Sequence, residues 1–240
     1  MTLHSELGGL LAAEASPAYP RISNAQLLNA PENQAIKDIW IKPYVSSRFV
    51  GKSAAVVATD GVEEIEITTI VHALRSQGVN VDIVSPRKPQ PPEWYGLQMP
   101  VIRETHILTI RFIEPGGWLK IDKYLDEVKA ADYDAVIVPG GTWNPDILRA
   151  DQDALNLIKA FARTDKIVAA ICHGPWVLSD AGVMRGKNGT SWWSMRADLE
   201  NAGVTFIDEP VVVDGNLITS RSPMDLAHFI NAVENKLGAR

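Results

Sequence analysis

The sequence predicts an α/β protein, a three-layer α/β/α sandwich around a mostly parallel sheet. Three observations predict it. From residue 53 onward, strand-sized apolar runs alternate with segments of helical period. The strand runs are apolar at successive positions, as expected where helices cover both faces of a sheet. Glycines stand where helices end and where strands turn into helices.

The elements follow in order. SAAVVAT (53–59) is a continuous apolar run and reads as a buried strand. Residues 63–77 carry Ile67, Ile70, Val71 and Leu74 at helical spacing and stop at Gly78. VNVDIVS (79–85) is a second strand, completing a βαβ unit with a right-handed crossover. PRKPQPPEW is too rich in proline for regular structure, whereas THILTIRFI (105–113) alternates and reads as a strand or hairpin arm. A short helix is expected around 122–130, before DAVIVPGG (134–141), a buried strand ending in a Gly-Gly turn. ALNLIKAFART (154–164) is an amphipathic helix, KIVAAIC (166–172) a buried strand, and a helix is expected at 174–181. Asp214-Gly215 between apolar runs at 211–220 signals a hairpin, and a helix over 223–238 closes the chain.

Residues 1–50 differ from this α/β domain, which spans 51–240. Pro17, Pro20, Pro31 and Pro43 interrupt any period, but Leu27, Leu28, Ile36, Ile39 and Trp40 suit packing. The segment reads as an N-terminal extension laid over the domain or over a neighbouring subunit. Residues 8–18 have small and apolar residues, yet no basic residue precedes them and Glu6 and Glu14 interrupt the pattern, so a secretory signal is not expected.

Composition narrows the function classes. Hydrophobic residues make up 46% and charged residues 22%, ordinary for a globular chain. A net charge of -6 without any Lys/Arg cluster argues against nucleic acid as a partner. The apolar runs are too short for a membrane helix, so no membrane association is expected. A single cysteine excludes an intrachain disulfide and a cysteine-cluster metal site, and fits a reducing, cytoplasmic setting. His4, His72, His106 and His228 have no ligand-spaced partners, so neither a metal nor another cofactor is expected.

Ligands of such sheets bind at the carboxyl ends of the strands. Two segments end there, VIVPGGTWNPD and VAAICHGPW. Cys172 stands where a buried strand meets a helix, a position that favours thiolate through the helix dipole. His173 follows it, and Gly174-Pro175 permits close approach and an abrupt helix start. Backbone N–H groups after the nucleophile and at the Gly140-Gly141 turn suit an oxyanion hole. Taken alone, a buried inert thiol would explain one cysteine equally well.

AICHGPWVLSDAGVMRGKNGT, VIVPGG, DGVEEIE and EPVVVDGNLITSRSPMDL together resemble the DJ-1/PfpI superfamily, its PfpI-like branch most closely, over residues 53–238. The resemblance implies a flavodoxin-like fold related to class I glutamine amidotransferases. It implies that Glu66 hydrogen-bonds the nucleophile, that Asp146 completes a Cys-His-acid triad within the chain or from an adjacent subunit, and that Gly141 and His173 supply the oxyanion hole. The chain departs from the family at Thr190-Ser191-Trp192-Trp193, where Thr-Ser-Tyr-Pro is common. Trp143, Trp176 and Trp192 would then line a substrate pocket suited to apolar or aromatic groups, or else pack at a subunit interface.

The expected function is that of a homo-oligomeric cysteine-nucleophile enzyme in stress protection. Its substrate would be a small carbonyl compound or a protein or peptide. Glyoxalase or deglycase chemistry is preferred to amidase or peptidase chemistry, because nothing suggests an extended peptide groove. The alternative is a non-catalytic protein that uses the cysteine as an oxidation sensor, or a chaperone. A glutaminase-like reading is disfavoured because His173 adjoins the cysteine and no His-x-Glu lies near the C-terminus.

Overall fold

A computed structural model describes residues 23–42, 47–87 and 100–239. The readings made for residues 1–22, and for most of the Pro-rich stretch from Lys88 onward, lie outside the described residues.

Two short helices come first, α1 (Asn24–Asn29) and α2 (Gln34–Ile41). The domain then runs β1 (Ser53–Val57), β2 (Val62–Glu63), α3 (Glu64–Ser76), β3 (Asn80–Ser85), β4 (His106–Arg111), β5 (Glu114–Lys120), β6 (Lys123–Tyr124) and β7 (Ala135–Val138). It continues with α4 (Trp143–Leu148), α5 (Gln152–Ala162), β8 (Ile167–Ile171), α6 (Pro175–Asp180) and β9 (Asn188–Gly189). The rest is α7 (Arg196–Asn201), β10 (Thr205–Phe206), β11 (Val211–Asp214), β12 (Leu217–Ser220) and α8 (Leu226–Gly238).

The main sheet has seven strands in the order β11-β12-β8-β7-β1-β3-β6, parallel throughout except for the β11–β12 hairpin. Its apolar strands feed two cores. Ala54 and Val56 of β1 face the side where Ile67, Ile70 and Leu74 of α3 pack with Phe229 and Val233 of α8. Ala55 and Val57 face the opposite side, with Ile158 and Phe161 of α5 and Leu178 of α6. This two-sided burial is why the strands carry no polar alternation. Asp151 caps α5, its Oδ1 accepting from the Ala154 N–H at 2.9 Å.

The helix expected around 122–130 is not formed. Lys123 and Tyr124 instead add a short parallel strand beside β3, followed by 3-10 turns at 125–127 and 130–132. Ile121, Leu125 and Val128 are all buried, so their spacing mimics a helix, but Ile121 joins one core and the other two join the opposite core. The Asp122 N–H donates to the Ile83 carbonyl at 2.9 Å, and Asp122 Oδ2 accepts from the Ile83 N–H at 3.0 Å, which captures the segment at the sheet edge.

Strands β4 and β5 form a hairpin with β2 at its side, apart from the main sheet. Its two-residue turn is Phe112-Ile113, with Phe112 at φ 63°, an unusual conformation for a bulky residue. No helix among the described residues is long and apolar enough to cross a membrane.

Candidate active site

In the main sheet the strand order reverses between β1 and β7, and the crevice beyond the carboxyl ends of such neighbours is where ligands bind. The segments leaving β1, β7 and β8 meet there. After β8 the chain turns so sharply that Cys172 takes φ 60°, a left-handed conformation that is costly for a side chain with Cβ. The turn is held from several sides. The Cys172 N–H donates to the Ser220 carbonyl at 3.1 Å, while the Cys172 carbonyl accepts from the Trp192 N–H at 2.9 Å and from Ser191 Oγ at 2.5 Å. Gly174 passes so close to the neighbouring strand ends that a Cβ there would lie 2.3 Å from the Val138 carbonyl oxygen.

After β7, Pro139-Gly140-Gly141 makes the second wall. A Cβ on Gly140 would fall 2.5 Å from the Cys172 Cβ and 2.9 Å from Glu66 Oε2, so only glycine fits between the cysteine and the carboxyl. Asn144, fully buried, fastens this turn. Its Nδ2 donates to the carbonyls of Pro139 (2.9 Å) and Gly140 (3.1 Å), and its Oδ1 accepts from the Thr59 N–H at 2.7 Å. Asn144 was not anticipated from the sequence, although the Asn-Pro pair after the glycines carried the signal.

Glu66 and His173 reach the sulfur from two directions. Glu66 Oε2 accepts from the Gly140 N–H at 2.6 Å, and the same carboxyl lies within hydrogen-bonding reach of the Cys172 thiol. Complete burial, then the charge of Glu63, push the Glu66 carboxyl from an ordinary 4.5 up to about 8. His173 Nδ1 lies 3.2 Å from the Cys172 sulfur. Burial lowers the imidazole's proton affinity, which favours the neutral ring. The backbone N–H groups of Gly141 and His173 both point at the sulfur.

The thiol itself departs from expectation. A lowered pKa was expected from the helix dipole, yet burial and the adjacent Glu66 carboxylate push it well up, against the opposing pull of the Gly141 and His173 N–H groups. Helix α6 has only six residues, and desolvation outweighs what its dipole offers. Cys172 and Glu66 therefore behave as a pair holding protons in common.

Asp146 sits exposed in the first turn of α4 and makes no hydrogen bond to His173 within the chain. The His173 ring lies instead against Trp192 (centroids 5.7 Å apart, 27° between planes) and Trp176 (5.6 Å, 59°). Of the three tryptophans expected at the pocket, Trp192 alone borders the cavity that opens on Cys172 and His173. Trp143 is exposed on α4, and Trp176 is turned away to donate from Nε1 to Asp198 Oδ2 at 3.2 Å beneath the Arg149 guanidinium.

The cavity measures about 590 Å³ and is mostly apolar, with Ile65, Ile110, Phe112, Ile113 and Met224 in its walls and Glu63 among its polar groups. Glu63 also braces the hairpin turn. Its Oε2 accepts from the Phe112 N–H at 3.0 Å, and burial pushes its carboxyl up to about 7. Among the described residues no cluster of His, Cys, Asp and Glu could hold a metal ion.

Comparison with known proteins identifies a family and a shared fold. The sequence model of the DJ-1/PfpI family matches residues 52–236. A Bacillus subtilis (strain 168) protein, YraA, provisionally named a cysteine protease, is 38% identical over 183 residues, 75% of this chain and 95% of that one. The Pyrococcus furiosus protein named deglycase PfpI is 37% identical, over 68% of this chain and 86% of its own. Drosophila melanogaster DJ-1beta superposes with a TM-score of 0.67 at 29% identity, covering 79% of this chain and 91% of that chain.

Proposed function

The chain belongs to the DJ-1/PfpI family, and from that premise we propose that it is an enzyme in which the Cys172 sulfur attacks a reactive carbonyl carbon. The observation that carries this reading is convergence on one sulfur beside an open cavity. His173 Nδ1 and the N–H groups of Gly141 and His173 all address Cys172, and the cavity borders it.

The chemistry follows from the protonation states. At rest the thiol keeps its proton, and neutral His173 is placed to take it as the sulfur–carbon bond forms. The carbonyl π electrons move onto oxygen, and the N–H groups of Gly141 and His173 hold the resulting alkoxide. Glu66, protonated below about 8, sets no negative charge beside that oxygen. The imidazolium then returns the proton, leaving a neutral hemithioacetal. With an α-oxo aldehyde, shifting the C–H proton to the neighbouring carbon gives a thioester, which water hydrolyses to a 2-hydroxy acid and the free thiol. A relative's name, deglycase, supports carbonyl chemistry, and a mostly apolar cavity of about 590 Å³ suits small compounds better than a long peptide.

The test is turnover of methylglyoxal and phenylglyoxal to their 2-hydroxy acids by the parent, Cys172→Ala and His173→Ala. Cys172→Ala is expected to lower kcat/KM by at least about a thousandfold. Undiminished turnover by Cys172→Ala would overturn the reading. Absence of turnover by the parent, with selective Cys172 oxidation by stoichiometric peroxide, would favour the sensor role instead.

A further inference from the structure

Residues 23–42 precede the stretch matched by the family, 52–236, yet they reach its cavity. Leu27 of α1 lines the same space as Cys172 and His173. Its position follows from a chain of contacts. Ile36 of α2 is buried in the core between sheet and helices. Trp40 stacks on His72 of α3 with centroids 4.4 Å apart and planes at 10°, and its Nε1 donates to Thr69 Oγ1 at 3.1 Å. These contacts seat α2 on α3. Asn33 Nδ2 then donates to the Leu27 carbonyl at 2.8 Å, fixing the turn that carries α1 back toward the cavity. Ser23 and Gln26 close the other end of α1 with reciprocal caps.

The cavity that Leu27 lines is mostly apolar: Ile65, Ile110, Phe112, Ile113 and Met224 share its lining, beside the charged Glu63 and Arg111. We infer that the N-terminal segment is a specificity element of the active site. Leu27 completes an apolar wall that selects carbonyl compounds bearing an aryl or branched alkyl group over the smallest aldehydes. The inference rests on the reading that Cys172 attacks a carbonyl, and it adds the substrate class. Water gains from releasing apolar surface, so a substituent that fills this wall strengthens binding at no cost in polar contacts. A methyl-sized substituent leaves the wall uncovered and gains nothing from Leu27.

Two paired measurements test it, one of them independent of turnover. The first compares kcat/KM for phenylglyoxal and methylglyoxal in the parent, Leu27→Ala and the volume-conserving Leu27→Met. The second compares rates of Cys172 alkylation by N-benzyliodoacetamide and by iodoacetamide, which share the reacting group. Leu27→Ala is expected to lower both bulky-to-small ratios by about tenfold, while Leu27→Met retains them. Unchanged ratios in Leu27→Ala would overturn the inference, as would an equal fall for bulky and small reagents, which marks a structural role alone. If the parent turns over neither glyoxal, the carbonyl reading fails, and the alkylation ratio still decides whether Leu27 forms the wall.

Discussion

Glu66 shows how one buried side chain ties stability to chemistry. Its carboxyl is completely enclosed, and its pKa is pushed from an ordinary 4.5 to about 8. Between those values the folded chain keeps a proton that the unfolded chain has lost, so stability falls as pH rises through this window. The contribution is fully present below about 4.5 and gone above about 8. Glu66→Gln removes the titrating group. Chemical denaturation of parent and variant at pH 5 and pH 8.5 is expected to show the parent losing a few kcal/mol more than the variant across that range. Parallel pH profiles would show that Glu66 is ionised in the fold. If Cys172 attacks as proposed, the same group is expected to set the upper limb of activity, because its ionisation places a negative charge against the thiol. Cys172 illustrates the general point: a helix start and a sharp elbow argue for thiolate, but enclosure decides the resting state.

At the scale of elements, the β4–β5 hairpin is held over the site by α3. Glu64, in the first turn of α3, accepts from Thr109 Oγ1 (2.6 Å), the Gly117 N–H (2.6 Å) and Arg111 Nε (2.9 Å). Glu63 catches the hairpin tip through the Phe112 N–H. The three glutamates of Glu63-Glu64-Ile65-Glu66 thus face three different tasks, which a helical wheel alone does not separate. Glu64→Ala removes the carboxylate that accepts from the Gly117 N–H and Arg111, while the Thr109 hydroxyl keeps the Gly117 carbonyl at 2.8 Å, a total cost of about 1–3 kcal/mol. Hydrogen exchange across residues 106–120 is expected to accelerate in Glu64→Ala, with protection of β7 and β8 unchanged. Uniform acceleration over the whole domain would show that the hairpin is no separate unit.

For the whole molecule, the prediction concerns an acid for His173. Asp146 is exposed and makes no hydrogen bond to its own His173, so a role in orienting an imidazole would fall to the His173 of a second copy. Co-expression distinguishes the cases. Cys172→Ala is expected to be inactive, and Asp146→Asn to lose about tenfold or more in kcat/KM if the acid holds the imidazole. Mixed oligomers of the two would then be expected to regain activity, since each Asp146→Asn chain would keep Cys172 and receive Asp146 from its partner. Absence of recovery, or an unimpaired Asp146→Asn, would remove Asp146 from the mechanism.

The order of strands and helices, the elbow at Cys172 and the Gly140-Gly141 turn were legible in the residues, because local periods and glycine positions specify them. Motif resemblance then pointed to Glu66 and His173 beside the sulfur, where the fold brings them. Other features depended on contacts between distant segments. The edge capture of Lys123-Tyr124, the Asn144 clamp, the outward position of Asp146 and Trp176, and the arrival of Leu27 at the cavity all required the packed chain. The raised pKa values of Cys172 and Glu66 belong to the same group, since desolvation is a property of everything that encloses a residue and is written in no single stretch of sequence.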